Sequence, residues 1–140
     1  MISIAIVDDH RLMRAGLANM IAGFKGYKVT IEAANGLLFI ESLKKNKVPS
    51  IVLLDINMPE MDGLTLLSKI KELNNPLLHS VIVSAYGDIQ NIRTAMNGGA
   101  FDFITKPIDF KDFEITIKKA LEKLDTLKIA LKSIWKKNQN

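Results

Sequence analysis

The stretch IVLLD, residues 51–55, is the clearest structural signal in this chain, because four aliphatic residues run without a break into a single acid. An uninterrupted apolar run of this length predicts a strand that is buried on both faces, as the strands of parallel sheets are. The segments NMP and MDG, residues 57–59 and 61–63, indicate a sharp turn and then a helix that Asp62 caps. Asp55 therefore lies where a buried strand leaves the core, and its carboxylate needs a partner there.

Apolar runs and helical patterns alternate on both sides of this strand. Strands are predicted at residues 2–7, 28–33, 51–54, 80–85 and 101–105, the second of them near a sheet edge. Helices are predicted at residues 11–24, 36–46, 63–73 and 88–99, and from about residue 110 to about residue 136. Five strand–helix units in series predict one α/β domain, with a mainly parallel sheet and helices on both of its faces.

Polar side chains lie at the ends of four of the five predicted strands. Asp8 and Asp9 follow the first strand, and Asp55 follows the third. Ser84 lies at the end of the fourth strand, and Lys106 follows the fifth. In a flavodoxin-like, doubly wound sheet of order 2-1-3-4-5, the first and third strands are neighbours at the switch point where ligands bind. The sequence therefore predicts that three carboxylates, a hydroxyl and an ammonium group share one crevice.

Three clustered carboxylates repel one another, so they require a cation or raised pKa values. Carboxylate and carbonyl oxygens are the ligands that suit Mg²⁺. The chain has no cysteine and only two histidines, His10 and His79, which argues against a soft-metal site. A carboxylate beside Mg²⁺, a hydroxyl and a lysine is the chemistry of a site that handles phosphoryl groups.

Residues 1–122 resemble the receiver domain of bacterial two-component response regulators, including the chemotaxis regulators. The resemblance rests on four motifs at strand ends, namely VDDH (7–10), IVLLDINMPEMDG (51–63), VIVSAYGD (81–88) and GGAFDFITKP (98–107). It implies a phosphoacceptor switch, with self-catalysed phosphotransfer and autodephosphorylation, rather than a conventional enzyme. An aspartate-nucleophile phosphatase is the enzymatic alternative. Its nucleophile follows the first strand, with two acids flanking one residue, whereas here those acids are adjacent and the isolated acid follows the third strand.

The resemblance implies the phosphoacceptor and the metal ligands. Asp55 would accept a phosphoryl group from a sensor histidine kinase. Asp9 would bind Mg²⁺ (or Mn²⁺) directly and Asp8 largely through water, while Asp55 and the backbone carbonyl of Asn57 would complete the set. His10 lies beside these acids in the sequence, and we interpret it as an incidental or tuning residue.

The resemblance also implies the residues that respond to phosphorylation. Ser84 would donate a hydrogen bond to the phosphoryl group, in place of the commoner threonine, and Lys106 would pair with the same group. The Lys106–Pro107 peptide bond would be cis. Phe103 would be an aromatic switch that turns inward when Ser84 moves toward the phosphate. The alternative for Phe103 is an ordinary place in the core.

Composition bounds the broad class of the protein. The chain has 140 residues, about half of them apolar, which suits a single globular domain. Only six residues separate Met1 from the first acid, which is too short for the apolar core of a signal peptide. No uncharged apolar run reaches the roughly 18 residues of a membrane span. We therefore expect a cytoplasmic protein that does not insert into the membrane.

The last thirty residues differ from the rest in charge and pattern. Residues 1–110 have equal numbers of basic and acidic residues, whereas residues 111–140 hold eight lysines and four acids. Apolar residues follow a heptad pattern at Ile117, Ala120, Leu124, Leu127, Leu131 and Ile134. We predict that residues 123–140 extend the fifth helix as a linker or as a surface that forms a homodimer. The alternative is that only the first half of this helix packs and the remainder frays.

We consider three hypotheses for how the C-terminal segment passes on a signal. In the preferred one, the helix connects the receiver to an effector domain that lies beyond residue 140. In the second, the chain is a single-domain regulator that acts through protein–protein contact. In the third, the basic helix binds nucleic acid, which is the weakest idea because the segment has no arginine and no recognition motif.

Overall fold

The computed structural model describes residues 1–58 and 61–139 of the chain. Within these ranges five strands alternate with five helices, and the parallel sheet has the order β2-β1-β3-β4-β5, so the predicted fold and strand order are confirmed. The strands are β1 (Ile2–Val7), β2 (Tyr27–Ala33), β3 (Ile51–Asp55), β4 (His79–Ala85) and β5 (Asp102–Lys106). The helices are α1 (Arg11–Ala22), α2 (Gly36–Lys45), α3 (Gly63–Glu72), α4 (Ile89–Asn97) and α5 (Phe110–Gln139).

Both faces of the sheet are covered by helices, which gives the protein two apolar layers. Helices α2, α3 and α4 supply one layer through residues such as Phe39, Leu66 and Ala95. Helices α1 and α5 supply the other through residues such as Leu17 and Phe113. All five residues of β3 are buried, which explains why its sequence shows no alternation of apolar and polar residues.

Several element boundaries differ from those predicted. Helix α1 ends at Ala22 rather than at residue 24, with Gly23 as its C-cap. Strand β5 is shifted by one residue and includes Lys106, which pairs with Ala85 of β4. Helix α5 continues to Gln139, three residues beyond the predicted end. The predicted turn at Pro59 lies outside the described residues, as does the last residue of the chain.

The start of α3 lies directly against the end of β3. The Asp62 carboxylate accepts a hydrogen bond of 2.8 Å from the Thr65 backbone N–H, so the predicted cap is present. The Gly63 backbone N–H donates to the Ile56 carbonyl at 2.8 Å. A Cβ atom on Gly63 would lie 2.7 Å from the Ile56 Cα and would also overlap the Asp55 carbonyl oxygen. Only glycine therefore permits this approach, which fixes the backbone on the C-terminal side of Asp55.

We expect Gly63→Ala to lower the free energy of unfolding by about 2 kcal/mol, because the clash is with backbone atoms that cannot rotate away. Urea unfolding measures this change. The matched control is Gly16→Ala on the exposed side of α1, where an added Cβ meets no atom within 4 Å. That control should be neutral or stabilising by up to about 1 kcal/mol. Equal effects of the two substitutions would contradict the close approach of α3 to β3.

Helix α5 has 30 residues, of which only the first half packs on the domain. Its buried residues are Phe113, Thr116, Ile117, Ala120 and Leu124. Beyond them, the large apolar side chains are exposed at Ile129, Leu131, Ile134 and Trp135. The helix is continuous through this region, so the described part of the extension is helical. None of the helices in the described ranges is long and apolar enough to cross a bilayer.

Candidate functional site

The carboxyl ends of β1 and β3 bring two buried aspartates together. Val7 pairs with Leu54 in the parallel register, so Asp8 and Asp55 each lie one position further along neighbouring strands. They are only 1% and 3% exposed. Lys106 ends β5 and extends its ammonium group between them, with Nζ 3.7 Å from Asp8 Oδ2 and 3.5 Å from Asp55 Oδ1. Three strands thus contribute one charged group each to the same point.

Burial and the neighbouring carboxylate raise the pKa of Asp55 above its ordinary value of 3.8. Desolvation is the larger cause, followed by the negative charge of Asp8. The Lys106 ammonium group and the Asn57 backbone N–H act in the opposite direction, but they do not cancel the rise. A single cation on one side of two carboxylates leaves excess negative charge, and this excess is what a divalent metal ion would neutralise.

We expect Asp55→Asn to stabilise the metal-free protein at neutral pH. The proton on Asp55 stabilises the fold below the unfolded pKa, and this contribution is lost as the pH rises through the raised folded pKa. Asparagine keeps the shape without the charge, so the gain in stability should be present at pH 7 and should shrink toward pH 3.8. Urea unfolding in the presence of a chelator measures the free energy at both pH values.

The increase at neutral pH should exceed about 0.5 kcal/mol, the range within which ordinary surface substitutions fall. The matched control is Asp125→Asn, which removes an exposed carboxylate from α5. A loss of stability in Asp55→Asn at neutral pH would contradict the electrostatic strain inferred for this pair of acids.

Asp9 and the start of α1 form the outer side of the site. The His10 backbone N–H donates to Asp8 Oδ1 at 2.8 Å. The Arg14 guanidinium, one turn further along, donates to the Asp8 backbone carbonyl at 2.6 Å. His10 Nδ1 lies 3.2 Å from Asp9 Oδ1 and 3.3 Å from Asp8 Oδ1. Sequence pattern does not predict the Arg14 contact, because the contact depends on the turn that connects β1 to α1.

Unsatisfied buried oxygens are concentrated at this rim. Five buried side-chain nitrogen or oxygen atoms among the described residues have no hydrogen-bond partner. Four of them belong to the predicted site, namely Asp8 Oδ2, Asp9 Oδ1, Asp55 Oδ2 and Ser84 Oγ. The fifth is His79 Nε2, at the opposite end of β4. Buried polar atoms are normally paired, so this concentration points to a ligand that the free chain does not itself supply.

These oxygens fit a hard divalent cation. Ligand atoms of Asp8, Asp9, His10 and Asp55 all lie within 4.8 Å of one another. Carboxylate oxygens with additional water molecules are the usual ligands of Mg²⁺. Asn57 follows β3 by two residues, and the resemblance assigns its carbonyl to the same ion.

Ser84 and Phe103 lie on one face of the sheet. Ser84 pairs with Thr105 in the register of β4 and β5, and Phe103 is two residues before Thr105, so the three side chains point to the same side. Ser84 is buried, whereas Phe103 is 40% exposed. The alternative that Phe103 is part of the core is therefore wrong. The Lys106–Pro107 peptide bond that follows is cis.

Comparisons with known proteins point to one family. A model described as "Response regulator receiver domain" matches residues 4–118. Chemotaxis protein CheY from Bacillus subtilis is 38% identical over 104 residues, which cover 74% of this chain and 84% of CheY. The transcriptional regulatory protein ZraR from Klebsiella oxytoca is 37% identical over 120 residues, covering 86% of this chain and 26% of ZraR.

A crystal structure of NtrX from Brucella abortus extends the similarity to the long helix. It aligns with a TM-score of 0.83 at 28% identity and covers 100% of this chain but 30% of NtrX. The chain therefore spans about a quarter of the length of ZraR and less than a third of NtrX. The family model itself ends at residue 118, whereas α5 continues to Gln139.

Proposed function

This chain belongs to the response regulator receiver domain family, and we propose on that basis that it is a phosphorylation switch in two-component signal transduction. Asp55 accepts a phosphoryl group from a sensor histidine kinase in a reaction that requires Mg²⁺ or Mn²⁺. The observation that carries the proposal is the set of four buried oxygens without hydrogen-bond partners at the carboxyl ends of β1, β3 and β4. A phosphoryl group and a divalent cation together offer partners to all four.

In the proposed reaction an Asp55 oxygen attacks the phosphorus atom. A bond from phosphorus to that oxygen forms while the bond to the donor nitrogen of the kinase histidine breaks and its electron pair returns to that nitrogen. The ring is protonated on its other nitrogen, so the histidine leaves as the neutral imidazole. Asp8, Asp9, Asp55 and the Asn57 carbonyl hold the cation, which when bound neutralises charge on the phosphoryl oxygens. Lys106 needs little movement to pair with the new group, because its Nζ is already 3.5 Å from Asp55 Oδ1.

Phosphorylation would be transmitted through Ser84 and Phe103. The Ser84 hydroxyl has no hydrogen-bond partner, so it is free to donate to a phosphoryl oxygen. Its movement leaves room on the shared face for the half-exposed Phe103 ring to turn inward. The surface that changes is built from α4, β5 and α5, where Ile89, Phe103 and Ile115 expose large apolar side chains. Exposed apolar side chains of this kind suit a partner protein that binds the phosphorylated and unphosphorylated chain with different affinities.

The C-terminal helix beyond residue 122 has a separate role in the proposed function, which is to pass the signal on. We propose that residues 1–122 are the receiver and residues 123–140 a helical connection to an effector domain. The support is that ZraR and NtrX, which match the chain, are several times longer than it. We place the protein in the cytoplasm, together with the kinase, and propose no direct contact of this segment with nucleic acid or membrane.

We propose a homodimer through α5, because its second half exposes Leu131 and Ile134 in the heptad pattern. Replacing both residues with lysine should convert a dimer to a monomer and raise the dissociation constant by at least about tenfold, since each lysine removes apolar contact and adds a like charge. Sedimentation equilibrium measures this change. The control is Leu12→Lys on α1, where an even more exposed leucine lies outside the seam. A wild-type chain that stays monomeric at high concentration, with and without a phosphoryl mimic, would contradict the dimer.

The experiment that tests the proposed switch is incubation with a small acyl phosphate, with and without Mg²⁺, followed by intact-mass measurement. The proposal predicts the gain of one phosphoryl group with Mg²⁺ and none in the presence of a chelator. The added group should be lost in mild base and should decay without any added phosphatase. A base-stable modification, or one that forms equally well without Mg²⁺, would contradict the proposal.

A further inference from the structure

The imidazole of His10 lies close to two carboxylates of the site. Its Nδ1 atom is 3.3 Å from Asp8 Oδ1 and 3.2 Å from Asp9 Oδ1. All three residues, together with Asp55, place a ligand atom within 4.8 Å of the others. The side chain that sequence analysis treats as incidental is therefore a fourth side chain within reach of the proposed metal site.

These separations suit a common metal ion. Ligands about 2.1 Å from an octahedral ion lie about 3.0 Å apart at adjacent corners and about 4.2 Å apart at opposite corners. The two distances from His10 Nδ1 to the carboxylate oxygens exceed the adjacent-corner value by only a few tenths of an ångström. Small side-chain rotations would thus bring the nitrogen and both oxygens to one ion.

In the described structure the His10 side chain has no polar contact besides those with Asp8 and Asp9, which are ion pairs when the imidazole is protonated. His10 is the N-cap residue of α1, but its side chain makes no capping hydrogen bond. The side chain is 66% exposed, so no packing constraint fixes it. Asp9 Oδ1 is 3.2 Å from Nδ1 and yet has no hydrogen-bond partner. When Nδ1 carries a lone pair rather than a proton, it cannot donate to this oxygen, and a cation bound between the two atoms gives both a partner.

We propose that His10 ligates, through Nδ1, the divalent cation that Asp8, Asp9 and Asp55 hold, and that it shifts the preference of the site toward transition metals. The inference rests on the proposed function, which supplies the metal site itself. Carboxylates suit Mg²⁺ and Mn²⁺ alike, whereas imidazole favours first-row transition ions over Mg²⁺. The chain therefore binds Mn²⁺ and Co²⁺ more tightly, relative to Mg²⁺, than the same site does without His10.

The direct test is pulsed electron paramagnetic resonance of Mn²⁺ bound to the full chain. The wild type should show nitrogen coupling that changes when histidine is labelled with ¹⁵N. The chain contains only two histidines, so His10→Ala should lose this coupling. His79→Phe should retain it, since His79 begins β4 at the far end of the strand and phenylalanine keeps its stacking on Phe101. His10→Ala should also weaken Mn²⁺ and Co²⁺ binding by about tenfold and Mg²⁺ binding by less than about threefold.

The outcomes separate this inference from the proposed function. Mn²⁺ binding without histidine coupling in the wild type would overturn the role of His10 and leave the carboxylate site intact. Tighter binding of all three ions by His10→Ala would also overturn it, because the imidazole would then be a hydrogen-bonding competitor of the metal. Failure of the wild type to bind any of the ions would overturn the metal site and this inference with it.

Discussion

Replacement of Asp55 with asparagine is expected to abolish uptake of a phosphoryl group from an acyl phosphate in the presence of Mg²⁺. The amide is nearly identical in shape to the carboxylate, so it should occupy the same buried position between β1 and β4. It lacks a nucleophilic oxygen anion, however, so the initial rate of phosphorylation should fall by about a thousandfold or more. Intact-mass measurement over time gives this rate for both proteins.

A matched control distinguishes loss of chemistry from loss of structure. Asp125→Asn removes an exposed carboxylate from α5 and should be phosphorylated at the wild-type rate. The metal-free Asp55→Asn protein should also be at least as stable as wild type, for the electrostatic reason given above. Full labelling of a folded Asp55→Asn protein would show that another residue accepts the phosphoryl group.

The second large effect is expected from Asp9→Asn, which removes one negative charge from the proposed metal site. We expect the dissociation constant for Mg²⁺ to rise by about a hundredfold, because a neutral amide is a much weaker ligand than a carboxylate. The phosphorylation rate at limiting Mg²⁺ should fall with it, and excess Mg²⁺ should restore part of the loss. Isothermal titration calorimetry measures the affinity. The Asp9 side chain is 28% exposed, so the substitution should not disturb the core.

The control for this experiment is Asp102→Asn at the start of β5, where the carboxylate accepts a hydrogen bond from the Phe103 backbone N–H. Asparagine can accept the same bond, so Mg²⁺ affinity should be unchanged. Unaltered affinity in Asp9→Asn would mean that Asp8 and Asp55 hold the cation without Asp9.

Much of this arrangement follows from sequence pattern, for physical reasons. An apolar run such as β3 has no stable position except the middle of a covered sheet, and parallel strands direct their carboxyl ends to one rim. The meeting of Asp8 with Asp55 therefore depends on strand order alone. The Lys106 contacts likewise depend on the end of β5 and on the reach of a long side chain.

Other features of the site depend on local geometry that residue periodicity does not encode. The His10 contacts arise from the path of the chain between β1 and α1, where the His10 backbone N–H is held by Asp8. Whether Phe103 faces the core or solvent depends on how closely α4 covers β5, and pattern alone could not decide between the two. The one-residue shift of β5 has the same origin, because strand ends are set by pairing with β4.

The proposed switch requires that the carboxylate at the end of β3 is the phosphoacceptor, and chemical trapping identifies the residue that carries the phosphoryl group. The wild-type chain is phosphorylated by an acyl phosphate with Mg²⁺, reduced with borohydride and digested, and the peptides are sequenced by mass spectrometry. Reduction converts an aspartyl phosphate to homoserine, so homoserine is expected at position 55 and at no other aspartate. Homoserine at another position, or a phosphoryl group that survives on a histidine, would contradict it.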